Sequence, residues 1–291
     1  MFDLLTVKVI TVIAIALTYL LFDVFNKRNV PTIYAYSTIV IGLAFTATIG
    51  NLQASGESLL IAAVIASLGY VVYRVGQLGA ADVIELTAIS LIIPIQPQAY
   101  LTSQIQLTLP FIISVFIATG VAALILIPLY YLPRAERIFK KNVLHMITNR
   151  DIFKGILILC AYGIFIVFWI YEIGLSAAGI ALVAVVMIAA SVTVMFQKPI
   201  TDSMVDYISP SRFEEGDIIA LNLMSKSDIS NARKKVKGFG KLVTISVLRE
   251  IRRRKIAGKF PVYRQAMPFA LPIFIGLVVS LLYGNIILLI L

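Results

Sequence analysis

Few of the 15 acidic residues in this 291-residue chain lie next to an apolar stretch, where a carboxyl group could do chemistry. Asp23 follows the end of the first apolar stretch, and Asp82 begins the fourth, with Glu85 three residues later. Ionisable residues near membrane depth are costly and are therefore candidates for function. Two carboxyl groups held together in a partly dry site cannot easily both ionise, so they share a proton and can activate water. Asp23 and Asp82 would then hydrolyse an amide, one acid polarising the carbonyl while the other takes a proton from water.

Both acids also have a simpler interpretation as helix-end residues. Asp82 is placed to be the N-cap of a helix, with Glu85 three residues on completing a capping-box arrangement. Asp23 can pair with Lys27 one helical turn later. The residues by themselves leave the catalytic and the capping interpretations open.

The composition requires an apolar environment around most of the chain. Hydrophobic residues make up 60% and charged residues 14%, with a mean hydropathy of +0.96. Soluble domains are about 45–50% apolar and about 25% charged. This excess excludes a soluble two-domain enzyme, a disordered chain and a disulfide scaffold. Because Cys160 is the single cysteine, an internal disulfide and a cysteine-rich metal site are excluded as well.

The apolar stretches predict an all-α, polytopic transmembrane helical bundle of about eight spans (six to eight). A crossing helix needs about 20 apolar residues, and no alternation typical of a barrel is present. Pro94 and Pro97 interrupt the fourth stretch, which is either a half-span or continues through residues 96–108. The predicted spans are residues 4–22, 33–49, 58–73, 83–95, 109–132, 155–171, 176–196 and 268–290.

The basic residues predict the orientation of the bundle in the cell membrane. With eight crossings, 24 of the 25 Lys and Arg residues fall on one side, in segments 23–32, 74–82, 133–154 and 197–267. Since cytoplasmic loops carry an excess of Lys and Arg, these segments are predicted to be cytoplasmic and both termini outside. The formal charge of +10 is then explained by topology and by contact with the lipid bilayer, without a nucleic-acid partner.

Four parts follow from this organisation. They are a catalytic membrane core of five spans (1–132), a cytoplasmic linker plus two additional spans (133–196), a basic cytoplasmic segment (197–267) and the last transmembrane helix (268–291). In the basic segment, residues 217–223 predict a strand or short buried piece. Residues 243–257 predict an amphipathic helix whose basic face lies on anionic lipid or docks substrate.

Two short motifs resemble those of the type IV prepilin peptidases, and most closely their archaeal branch, the preflagellin peptidases. Asp23 at the end of the first helix is followed by a Lys-Arg pair and a Val-Pro, as in the family's first aspartate region. Gly79-Ala80-Ala81-Asp82 resembles the second motif, Gly-x-Gly-Asp. The resemblance implies a membrane aspartic endopeptidase that removes short basic leader peptides from pilin-like and archaellin-like precursors on the cytoplasmic side. It also implies that Asp23 and Asp82 are the catalytic pair.

The chain departs from the family pattern in three respects. Ala81 replaces the second glycine of the motif, although it keeps a small residue there. Spans six and seven are additional to the usual six-helix plan. The four-cysteine motif of the bacterial branch is absent, so we expect neither a metal ion nor another cofactor.

Further acids are candidate contacts for the basic leader of a precursor. Glu85 is one, although the positive end of a helix dipole would also favour a carboxylate there. Glu214, Glu215 and Asp217 form the most acidic cytoplasmic patch, which is either such a contact or an ordinary solvated loop. Two other functions stay open, namely a proton- or cation-coupled secondary transporter and a non-catalytic membrane assembly platform.

Overall fold

The structure is a computed structural model that describes residues 3–26, 29–75, 78–101, 109–140, 142–172, 174, 176–236, 238–254, 258–263 and 267–286. Several positions used in the sequence analysis lie outside these residues. They include the Lys27-Arg28 pair, residues 102–108 of the fourth predicted stretch, residues 255–257 of the amphipathic helix and residues 287–290 of the last span.

The described chain is mostly helical. Its α-helices are α1 (Leu4–Phe25), α2 (Thr32–Ala47), α3 (Leu52–Val75), α4 (Ala80–Ile92), α5 (Phe111–Phe139), α6 (Asn149–Glu172), α7 (Ala177–Met195), α8 (Gln197–Ser203), α9 (Lys226–Lys235), α10 (Ile245–Arg254) and α11 (Ala270–Tyr283). Two strands, β1 (Val205–Ile208) and β2 (Phe260–Tyr263), pair antiparallel.

Five helices are long and apolar enough to cross a membrane, which indicates a multi-pass membrane protein. They are α1, α3, α5, α6 and α7, whereas α2 and α11 are apolar but shorter. The predicted count of about eight spans is therefore not confirmed. Residues 33–49 and 268–290 were predicted as spans, but α2 ends at Ala47 and α11 ends at Tyr283, before Gly284 with a φ of 74°.

Several helices extend beyond the apolar stretches that predict them. Helix α5 continues to Phe139 and includes Pro133, and α6 begins at Asn149, so much of the predicted 133–154 linker is helical. Helix α3 likewise begins at Leu52, six residues before the predicted span at 58. Apolarity marks only the part of a helix that lies in apolar surroundings, and more polar residues can continue the helix at either end.

Helix α4 lies inside the bundle, where it packs against α1, α2, α3 and α5. Most of its residues are buried, and its apolar side chains belong to a hydrophobic core that also contains residues of α1, α5 and α11. Close approach is possible because glycines face it. A Cβ placed on Gly42 would lie 2.8 Å from Leu91 Cβ, and one on Gly69 would lie 2.5 Å from Val83 Cγ1. Small residues at such positions are typical of helix packing in membranes.

Helix α4 is a half-length helix. Its 13 residues extend about 20 Å at 1.5 Å per residue, less than the roughly 30 Å of a bilayer core. It ends at Ile92, since the residue before a proline disfavours helical backbone. The chain then turns back, with Ile95 bridged to Pro110 and Phe111 N–H donating to Pro94 O. Of the two alternatives for the fourth stretch, the described residues favour the half-span.

Helices α6 and α7 form a hairpin at the side of this bundle. Helix α6 packs against α7, and α7 in turn packs against α5. A hydrogen bond joins the two helices at Gly155 of α6, whose carbonyl accepts from Ser191 Oγ of α7 at 2.9 Å. Most of α6 is exposed in the protein, so its apolar surface is available to lipid. The two additional spans of the sequence analysis thus lie outside the helices that surround α4.

Residues 205–263, called the α/β unit below, have a hydrophobic core of their own. Two single bridges extend the sheet formed by β1 and β2: Ile219 pairs with Val262, and Ile218 pairs with Leu242. Helices α9 and α10 cover the sheet. The strand expected in 217–223 is limited to residues 218 and 219, which are followed by a short 3₁₀ turn. The shared core residues are Phe213, Ile219, Ala232, Val236, Phe239, Val243, Val247, Ile251, Phe260 and Val262.

Helix α10 confirms the amphipathic helix expected in 243–257, but not its placement on lipid. Val247 and Ile251 are buried in the core of the α/β unit, and Arg249 and Arg252 are exposed on the other side. The apolar face is therefore covered by the unit itself. The periodicity of the sequence reports an apolar face without telling whether protein or lipid covers it.

The contact between α5 and α11 is the most demanding packing in the bundle. A Cβ placed on Gly276 would lie 2.8 Å from Thr119 Cα. We expect Gly276→Leu to separate the two helices and to destabilise the protein by about 3 kcal/mol or more, because overpacking forces the backbone to shift. Thermal unfolding in detergent measures the effect. Gly163→Leu on α6 is the control, since no atom lies within 4 Å of a Cβ there. Equal melting of the two variants would contradict this packing.

Candidate active site

Asp82 lies in the first turn of α4, but it is not the N-cap. Gly79 is the N-cap, and its backbone N–H donates to Asp82 Oδ2 at 2.9 Å. Asp82 therefore closes the start of the helix from the third helical position, which satisfies one of the backbone donors that every helix start leaves unpaired. The prediction that Asp82 is the N-cap is therefore wrong, because the helix begins three residues earlier, with Gly79 as its N-cap.

The small size of Gly79, rather than the freedom of its backbone, is what this position uses, because the Asp82 carboxylate lies close to it. Its φ of −76° and ψ of 152° are open to any residue. A Cβ at this position would lie 3.0 Å from Asp82 Oδ2 and would push the carboxylate away. Ala80 and Ala81 are the first helical residues, so alanine in place of the family's second glycine has no conformational cost here.

Asp23 lies near the end of α1 and is half-buried. Its Oδ2 accepts a hydrogen bond from the backbone N–H of Ala270 at 3.2 Å. Ala270 is the first residue of α11, so Asp23 joins the end of α1 to the start of a helix that is 247 residues away in sequence. The predicted partner Lys27 lies outside the described residues.

Two helix N-termini thus hold the two aspartates. Asp82 accepts from the start of α4 and Asp23 from the start of α11, the ends at which the helix dipole favours negative charge. The two carboxyl groups are close enough for each to be an electrostatic neighbour of the other. The structure therefore brings together two acids that are 59 positions apart in the sequence.

Glu85 lies one turn further along α4 and is an electrostatic neighbour of both aspartates. It was predicted as a charge at the start of a helix or a contact for a basic leader. Instead, its side chain has 0% exposure. Neither of its carboxyl oxygens has a hydrogen-bond partner in the described residues.

Aromatic residues of α1 and α2 form an apolar wall beside these acids. Tyr34 packs against Tyr19 and Phe22, with ring centroids 5.4 and 5.3 Å apart. Both tyrosines are electrostatic neighbours of Glu85. The Tyr19 hydroxyl lies 3.3 Å from Thr38 Oγ1, and the Tyr34 hydroxyl donates to Ile15 O at 3.4 Å. The wall gives the acids an apolar neighbour.

The acidic patch of the basic segment lies elsewhere. Glu214 and Glu215 are exposed in a turn of the α/β unit, and Asp217 closes the turn by accepting from Glu214 N–H at 2.9 Å. This turn precedes Ile219, whose side chain belongs to the core of that unit. The structure thus brings Asp23, Asp82 and Glu85 together. The acidic patch is not part of this group and belongs to the α/β unit.

Sequence reasoning missed the backbone of Ala270 and the two tyrosines. Pro268 and Pro272 mark the start of α11, because proline favours the first turn of a helix. That signal locates a helix start, but nothing in it shows that this start meets α1. The tyrosines belong to apolar stretches, in which an aromatic residue carries no separate signal.

The geometry combines two half-buried carboxyl groups, an apolar wall and fixed backbone donors. Such a pair can hold one proton between its members and move protons to and from a substrate. Comparison of the chain with protein-family models, with curated proteins and with solved structures gave no match.

The hydrogen bond between Gly79 and Asp82 gives Asp82 a structural role that can be measured separately from catalysis. Asp82→Ala removes the acceptor and is expected to lower stability by about 1 kcal/mol, as for other lost helix caps. Asp82→Asn keeps a carbonyl oxygen at the same place and is expected to melt close to the wild type. Thermal unfolding of both purified variants measures the difference. Equal melting of Asp82→Ala and the wild type would show that the cap contributes nothing.

Proposed function

We propose that the chain is a membrane-embedded aspartic endopeptidase that removes short basic leader peptides from pilin-like or archaellin-like precursors. The observation that supports it best is the convergence of Asp23 and Asp82 at the starts of α11 and α4. The same two residues are the ones that the resemblance to prepilin and preflagellin peptidases implies as catalytic.

The reaction follows from the chemistry of two carboxyl groups that share one proton. The ionised aspartate takes a proton from water, and the resulting hydroxide attacks the carbonyl carbon of the scissile amide. The protonated aspartate gives its proton to the carbonyl oxygen. When the tetrahedral intermediate collapses, one of its two hydroxyl groups returns a proton to the pair. The C–N bond breaks, and the amide nitrogen leaves with a proton from the pair. The pair returns to its starting state with one proton, and one water molecule has been consumed.

The precursor must present an extended segment to this pair, because a helix hides its carbonyl groups in its own hydrogen bonds. We place the Asp23 end of the bundle at the cytoplasmic boundary, since the segments on that side carry 24 of the 25 Lys and Arg residues. The basic leader then stays in the cytoplasm, and the apolar helix after the cut lies in the membrane beside the spans. Glu214, Glu215 and Asp217 remain candidate contacts for the leader.

A proton- or cation-coupled transporter would also use buried acids, and an assembly platform would use the basic surface of the α/β unit. Transporter sites lie near the middle of the membrane between repeated halves. Asp23 and Asp82 instead lie where α1 ends and α4 begins. Only the peptidase proposal requires a precursor to be cut.

Substitution of either aspartate tests the proposal. We expect Asp23→Asn and Asp82→Asn each to abolish cleavage of a co-expressed precursor with a basic leader, because an amide cannot take or give the required proton. Both variants keep an oxygen that can accept the backbone hydrogen bond, so insertion and folding are expected to persist. Glu136→Gln on α5 is the control for loss of an acid. Substantial cleavage by either aspartate variant would defeat the assignment of the pair.

The proposed mechanism does not use a metal ion. Purified protein in detergent is expected to cleave the precursor at an unchanged rate after treatment with a chelator, because the two carboxyl groups activate the water. Cleavage is followed by gel electrophoresis with and without chelator. A loss of cleavage that added zinc restores would contradict the mechanism.

A further inference from the structure

Glu85 is a fully buried acid at the edge of an apolar core. Its side chain has 0% exposure, and both of its oxygens lack a hydrogen-bond partner in the part of the chain that the structure describes. Leu86 and Ile89, which follow it on α4, belong to the hydrophobic core. Buried polar groups in folded proteins are nearly always paired, so an unpaired one requires an explanation.

The surroundings of Glu85 favour its uncharged form. An isolated carboxylate buried without a partner is so costly that it takes up a proton instead. The charged or titratable groups that face it are Asp82 on its own helix, Asp23 and Tyr19 on α1 and Tyr34 on α2. None of these is a cation. Among the described residues, α3 and α5 contribute no group to this set.

Glu85 lies on the same face of α4 as Asp82. Residues three apart on a helix lie on one face, so Glu85 and Asp82 are neighbours along α4. Asp82 already accepts one hydrogen bond, from Gly79. A carboxylate has two oxygens with room for further donors, and a protonated carboxyl group is a donor. Glu85 can therefore become a partner of the pair with a change of side-chain rotamer.

We propose that Glu85 is a positioning residue for Asp23 and Asp82: it carries a proton and donates a hydrogen bond to whichever aspartate is ionised when the pair closes on the scissile bond. This inference rests on the proposed peptidase function. The hydrogen bond forms in the working state, which explains why the resting structure leaves the carboxyl group unpaired. Since a neutral acid has no like-charge repulsion with the pair, the pair keeps its single negative charge. A hydrogen bond to a charged acceptor is also stronger than one between neutral groups.

The test compares Glu85→Gln with Glu85→Met in the full-length protein. Gln keeps a donor of nearly the same size, whereas Met fills the space without one. For each variant, thermal unfolding is measured in detergent, and the rate of precursor cleavage is measured across a range of pH. Ser114→Ala is the control, because Ser114 Oγ is also buried and without a hydrogen-bond partner, near the opposite end of α4.

We expect Glu85→Met to melt higher than the wild type but to cleave about tenfold to hundredfold more slowly, the value of a lost charge-assisted hydrogen bond. Its activity should also fall at a higher pH on the acid side, because the ionised aspartate has lost a donor that stabilises it. Glu85→Gln should keep a rate and a pH profile close to those of the wild type. Ser114→Ala should cleave at the wild-type rate.

Three results would overturn the proposal. If Glu85→Met cleaves as fast as the wild type, Glu85 has no role in the site. If Glu85→Met melts lower or does not fold, the carboxyl group is structural. If Glu85→Gln is as inactive as Glu85→Met, Glu85 works as a carboxylate. Failure of the proposed peptidase function is distinguished by the wild type itself, which would then not cleave the precursor, whereas the melting temperatures are measured without any substrate.

Discussion

The need to satisfy backbone hydrogen bonds at both ends of a short helix in an apolar bundle shapes this protein. Helix α4 is too short to carry its ends out to water on both sides, and an unpaired backbone group in hydrocarbon costs several kcal/mol. At its C-terminal end, Leu91 O accepts from Thr46 Oγ1 of α2 at 3.2 Å, with Ser58 Oγ of α3 at 3.5 Å. Beyond Pro94, Gln96 N–H donates to Leu109 O and its side chain reaches Ser280 O of α11. Three other helices, α2, α3 and α11, thus contribute hydrogen bonds at or just beyond the C-terminal end of α4.

The other end of α4 is closed by the candidate site. One backbone donor at this helix start, the Gly79 N–H, is paired with the Asp82 carboxylate, and one at the start of α11, the Ala270 N–H, is paired with Asp23. The groups assigned to the chemistry are therefore also the groups that pair helix starts within the membrane domain. This double use explains why each carboxyl group has a defined orientation before any substrate arrives. It also explains why Asn, which keeps an acceptor, separates chemistry from structure better than Ala.

The sequence predicted the elements of this arrangement better than their contacts. Hydropathy located both ends of α1 and α7 and the start of α5 to within three residues, and Pro94 predicted an interruption where α4 ends. It could not give the N-cap, because Asp82 and Gly79 are both common at helix starts and only the backbone angles decide between them. It predicted Glu85 as a helix-start charge or a contact for a basic leader, since the position of an acid in a sequence does not show which neighbours surround it. The same limit applies to α10, whose apolar face packs within the α/β unit rather than on lipid.

The unequal ends of α4 give the site a direction. At the C-terminal end, the Leu91 carbonyl and the Gln96 amide nitrogen pair with groups of α2, α3 and α11. At the N-terminal end, Asp23 and Asp82 are half-buried. Glu85 lies between the two, beneath the aspartates and with 0% exposure. The Glu85 carboxyl group behind the pair is thus kept from bulk solvent. The role proposed for Glu85, a proton donor to the pair, requires this separation from bulk solvent.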